Sequence, residues 1–173
     1  MDEAALPDDW YNDMPSADPA IRKEYEAALG RFILAFNEVD YRLSQVIAAE
    51  LSMRGDSKLI ATAAKGSFAQ RLEKLELLMS AAKSPQFAAL PVAKLWSLNG
   101  ARNDLAHGHF DQNPYDGSYR LTLAAKSRDY PVSRILKLVE DLAHVVLALN
   151  NTEILYDFDN FTIEGGGNEV SQI

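Results

Sequence analysis

The chain contains no cysteine, which excludes a disulfide framework and a cysteine-based zinc site. No uninterrupted apolar run approaches the ~20 residues that a bilayer-crossing helix needs. The opening MDEAALPDDW is acidic where a secretory leader is basic and then apolar. These features predict a soluble cytoplasmic protein with no membrane partner. Basic residues are in deficit, with 17 Lys plus Arg against 25 Asp plus Glu. Non-specific nucleic-acid binding draws on clustered Lys and Arg, so an anionic ligand would have to be met by a small local cationic site. A glycine-rich phosphate loop is missing too, because Gly165, Gly166 and Gly167 have no strand–helix context. No serine nucleophile with a base partner stands out.

What is present is an ordinary globular composition. The 173 residues are 47% hydrophobic and 24% charged, enough for one domain with a real core. Residues 1–18 carry Pro7, Pro15 and several aspartates without sustained periodicity, and read as an extended lead-in. Asp18-Pro19 supplies an N-cap and a first-turn proline. From there Leu29, Phe32, Ile33, Phe36, Val39, Leu43 and Ile47 recur at helical spacing, predicting one long helix to about Leu51. A short helix follows over 57–64, and Ser67 caps a third whose stripe is Phe68, Leu72, Leu75 and Leu78. Another runs from about Phe87 or Leu90 to Ala106, ended by Gly108.

The period then changes. Residues 107–112 and 118–125 alternate around Asn113-Pro114-Tyr115-Asp116-Gly117, which predicts a β-hairpin. A last long helix begins after Pro131 and carries Ile135, Leu138, Leu142, Val145 and Leu149 on one face. The expected architecture is all-α: an up-and-down four-helix bundle over 19–158, with a small β-hairpin insertion at 107–125 before the last helix. Residues 159–173 read as a flexible tail.

The pattern is broken where chemistry is expected. At 100° per residue, Leu95, Leu98, Arg102 and Leu105 share one narrow sector. A guanidinium on a bundle seam costs several kcal/mol, on the order of a buried ion's penalty, unless it is paired or borders a wet cleft. Asn99, Asn103 and His107 follow beside it at i, i+4 and i+8, with Trp96 near them. Asp40 makes a matching breach in the first helix, between Phe36 and Leu43, and the two breaches predict that Asp40 approaches Arg102, directly or through water. A structural ion pair that merely fixes helix register would give the same pattern. His107, His109 and Asp111 alternate as metal ligands on a strand can, but no further ligand cluster accompanies them, so no metal and no cofactor is expected. Trp96 and His109 are candidate substrate contacts, although an aromatic on a helix flank is more often a core or dimer contact and a histidine on such a strand more often part of a solvated face.

Arg102-Asn103-Asp104-Leu105-Ala106-His107 resembles the R-N-x-x-x-H motif of HEPN domains. Phe36, Asn37, Asp40 and Leu43, on an earlier helix, match the accompanying Phe-Asn-x-x-acidic-x-x-Leu pattern. The resemblance covers about residues 25–155. It implies a metal-independent endoribonuclease acting as a homodimer, in which two motifs build one composite cleft and RNA is cleaved by 2′-hydroxyl attack. Arg102, His107 and Asn103 are then the catalytic residues, with Asp40, Asp104 and Asn99 in support. Asp104 would hold the His107 ring. His109 stands where some relatives carry a modifiable tyrosine, so that regulation is not carried over. The resemblance also admits a toxin or defence role with a cognate antitoxin, and a catalytically inactive dimeric binding or scaffold module as the alternative.

Overall fold

The structure is a computed structural model that describes residues 17–63, 65–81, 85–123 and 126–165. The expectations for residues 1–16 and 166–173 lie outside the described residues. Helix α1 spans Pro19–Met53, with Asp18 accepting from the Ala20 amide at 2.8 Å and proline in the first turn. Its apolar residues bury one face, with Phe32, Val39, Leu43 and Ile47 fully enclosed. Each such side chain contributes about 1.5–3 kcal/mol relative to exposure. The short α2 (Ser57–Ala63) and α3 (Phe68–Ser80) follow. Arg54 closes the far end of α3 by donating to the carbonyls of Leu78 and Ala81 at 3.0 and 3.2 Å.

A single turn, α4 (Pro85–Ala88), precedes α5 (Val92–His107). Periodicity alone merges these two, but Pro91 divides them, since proline disfavours helical geometry in the residue before it. Strands β1 (His109–Gln112), β2 (Tyr119–Leu123) and β3 (Lys126–Arg128) form an antiparallel sheet in the order β1-β2-β3. The expected hairpin is therefore two strands of three. β3 gives no signal of its own because it is only three residues long and two of them are charged. The final helix, α6, runs Val132–Gly165, past the 158 boundary that periodicity suggests and into the stretch expected to be a tail.

Contacts between helices fix their directions. Asp40 meets Arg71 near the start of α3, while Arg54 meets its end, so α1 and α3 run parallel. Trp96 reaches Glu76 and Arg102 shares a cleft with Phe68, so α5 runs against α3. Lys94 pairs with Asp141 and Asp104 with Tyr130, setting α5 against α6. Strict up-and-down alternation along four main helices is not what results. The short α2 carries the chain back along α1, so α3 starts at the level of Phe36 rather than at the far end of α1.

The sheet closes one end of the helices. Tyr25 of α1 stacks on Tyr119 with ring centroids 4.1 Å apart and meets the edge of Phe110 at 5.8 Å. Leu121 is buried against the end of α5, where Gly108 is required by close approach: a Cβ there would lie 2.2 Å from Leu121 Cδ1. This junction sets the direction in which the chain leaves His107.

Candidate functional site

A cleft of about 390 Å³ opens between α1, α3 and α5. Its walls include Phe36, Asn37 and Asp40 from α1, the stretch Gly66–Ala69 with Arg71 from α3, and Asn99, Arg102 and Asn103 from α5. The two seam violations read from the sequence thus face one space. They do not pair with each other.

The partner of Asp40 is Arg71, whose Nη2 donates to the carboxylate. Nη1 of Arg71 donates to Ser44 Oγ at 2.5 Å, and Ser44 in turn donates to the Asp40 carbonyl at 3.1 Å. Arg71 is 8% exposed, and an enclosed guanidinium needs a counter-charge. That need places Asp40 on Arg71 and corrects the expected approach of Asp40 to Arg102 in its direct form, although both line the same cleft. Sequence reasoning missed Arg71, although the signal is there. Phe68, Arg71, Leu75 and Leu78 follow the same i, i+3, i+7, i+10 spacing that exposed Arg102.

Arg102 is half-buried and has no carboxylate partner among the described residues. Its Nη1 donates to the neighbouring Asn103 Oδ1 at 3.3 Å, and its guanidinium carbon lies 6.0 Å from the Phe36 ring centre. Asn99, one turn earlier, is 8% exposed, and its side chain makes no hydrogen bond among the described residues. The enclosed side-chain polar atoms without a partner among the described residues are Arg71 Nε and Asn150 Oδ1; the Asn99 amide instead keeps access to the cleft it lines. With Asp40 neutralising Arg71, Arg102 is the uncompensated cation of the cleft.

The first turn of α3 forms another wall. Ser67 accepts from the Gln70 amide at 3.3 Å while Gln70 Oε1 accepts from the Ser67 amide at 2.9 Å, a complete capping box. Gly66 at φ +109° lets Gln70 fold back this way, because a Cβ there would lie 2.6 Å from Gln70 Oε1. The box serves Ser67 and Gln70, leaving the amides of Phe68 and Ala69 without a helical acceptor. Both residues border the cleft.

His107 is the last residue of α5 and is exposed. It stands outside the cleft wall, about 7–8 Å along the helix axis from Arg102 at 1.5 Å per residue. Asp104 does not hold its ring. The Asp104 carboxylate instead accepts from Arg128 and, at 2.8 Å, from the Tyr130 hydroxyl. Burial and this carboxylate both push the Tyr130 hydroxyl pKa upward, burial most. Asp104 thereby ties α5 to the residues that launch α6.

Trp96 is turned to α3, donating from Nε1 to Glu76 Oε1 at 2.9 Å, and does not line the cleft. His109 is exposed on β1, with Thr122 opposite in the β-ladder. Among the described residues, no three histidine, aspartate or glutamate side chains are grouped to hold a metal ion. No described helix is long and apolar enough to cross a membrane. No protein-family model matches the chain, and it matches neither a curated protein nor a solved structure.

Proposed function

We propose that this chain is a metal-independent endoribonuclease of the HEPN type, a cytoplasmic helical bundle that works as a homodimer with a composite cleft. The observation that carries the reading is Arg102, a permanently charged guanidinium with no carboxylate partner among the described residues and an exposed imidazole five residues further along α5. In this reading the 2′-hydroxyl attacks the adjacent phosphorus and the bond to the 5′-oxygen breaks. One His107 takes the 2′-proton, and the partner subunit's His107 returns a proton to the departing oxygen. Arg102 supports the extra negative charge on the phosphoryl oxygens, and Asn103, hydrogen-bonded to Arg102, fixes its direction. A toxin or phage-defence role, with a cognate antitoxin protein as second partner, belongs to the same proposal.

Product chemistry tests it. RNA cut by this route ends in a 2′,3′-cyclic phosphate and a 5′-hydroxyl; 5′-phosphate products would reject the mechanism. A second reading, a catalytically silent binding or scaffold dimer, is favoured by Asp104, whose carboxylate is committed to Arg128 and Tyr130 rather than to His107. RNA that binds and is recovered intact would select it.

A further inference from the structure

The cleft behind Arg102 is more than the flank of a scissile site. We infer that it is a binding site for a phosphate monoester, the dianionic end of a nucleotide. The inference rests on and deepens the ribonuclease reading, and joins Arg102 of the R-N-x-x-x-H motif to residues outside it.

Three independent features converge on the same space. The first is charge: Arg102 is uncompensated, while Asp40, the one carboxylate in the wall, is held by Arg71. The second is the α3 N-terminus, whose Phe68 and Ala69 amides are left over by the capping box and border the cleft. Such amides, together with the helix dipole, attract a negative charge to the helix start. The third is Asn99, more than nine-tenths buried, facing the cleft and with no hydrogen-bond partner for its side chain among the described residues.

These donors come from different helices and surround a pocket, so they suit a terminal group with several free oxygens. A diester within a chain offers only two unbridged oxygens and has to leave at both ends. A monoester offers three oxygens and two charges, and a volume of about 390 Å³ accommodates the phosphate with part of its nucleoside. Asp40 sets a limit on the charge accepted, since its carboxylate faces the same cleft and disfavours a longer polyphosphate. The two sources of this chemistry are a free mononucleotide and the 5′-phosphate end of an RNA.

Titration of isotopically labelled full-length protein with inorganic phosphate tests the site, reading the amide resonances of Phe68 and Ala69. Saturable shifts at those amides are expected. Asn99→Asp, which places a carboxylate beside Arg102, is expected to weaken binding at least tenfold, as is Arg102→Gln. Lys137→Ala, on the exposed face of α6 and outside the cleft, is expected to bind phosphate as the parent does. No saturable shift at Phe68 and Ala69, or unchanged affinity in a folded Asn99→Asp protein, overturns the proposal. Asn99→Ala provides the same reading should the aspartate variant not fold.

Two further ligands identify the source. Tighter binding of a 5′-phosphorylated RNA oligonucleotide than of its 5′-hydroxyl counterpart identifies an RNA end. Equal binding of the two RNAs, with adenosine 5′-monophosphate displacing phosphate, identifies a free nucleotide. Failure of the ribonuclease reading is seen separately: RNA would stay intact while phosphate still bound.

Discussion

Asp40 is held by Arg71 and not by Arg102, although all three side chains line one cleft. Two arginines at equivalent seam positions therefore have opposite standing. Arg71 is enclosed, with its charge balanced inside the fold. Arg102 is left with a half-open guanidinium and an amide neighbour. The fold needs the first, and the second is free to meet a ligand.

This asymmetry is measurable as stability. Arg71→Ala removes packing and leaves Asp40 unpaired, and is expected to cost about 1–3 kcal/mol; the figure is held down because 37% of the Asp40 side chain meets water. Arg102→Ala is expected to change stability by less than about 1 kcal/mol, because it breaks no ion pair. Urea unfolding of the two variants checks both values. Equal destabilisation would mean that Arg102 also has a structural charge to balance.

Asp104 is expected to matter for folding and not for catalysis. Its loss strands the hydroxyl of Tyr130, a side chain only 2% exposed. Asp104→Ala is expected to destabilise by about 1–3 kcal/mol, the cost of an unsatisfied buried donor. Tyr130→Phe in the same background removes the stranded group and is expected to recover part of that loss. RNA cleavage by the folded fraction of Asp104→Ala is expected to equal the parental rate; a large fall in rate would return Asp104 to the His107 site.

The sheet–helix junction gives the protein an alkaline limit. Tyr25 is buried under Tyr119, and burial, with Tyr119 and Tyr130 nearby, pushes its hydroxyl pKa from 10.0 up to about 12. Between those values the unfolded chain loses the Tyr25 proton while the folded chain keeps it. Its contribution is complete below pH 10 and is lost as pH rises to about 12. Tyr25→Phe retains the stack and is expected to flatten this limb of a stability-versus-pH curve. Thermal melts across that range, with phenolate absorbance followed in parallel, make the comparison.

Much of this arrangement is legible in the sequence because it is periodic. The stripe of α1, the Asp18-Pro19 start and the Ser67 cap are local signals, and the structure places helices on them. Arg102 and Asp40 are readable as seam violations, Asn99 and Asn103 as the polar flank beside Arg102, and all four border the cleft. What periodicity does not give is which charge meets which. That choice depends on α2 folding back along α1, which brings Arg71 rather than Arg102 to Asp40. The donors at the start of α3 are invisible for a related reason: backbone amides carry no sequence signature, and only the position of Ser67 beside α5 gives them a role. Strand β3 is hidden because three polar residues give alternation nothing to show.

The account stands on His107 acting on RNA beside an unpaired Arg102. The most direct test incubates purified parent and His107→Ala proteins with RNA in the presence of EDTA, after circular dichroism has shown both to be folded. The parent is expected to cleave despite the chelator, and the variant to leave the RNA intact. Equal cleavage by the two proteins, or loss of parental cleavage on adding EDTA, would contradict the assignment.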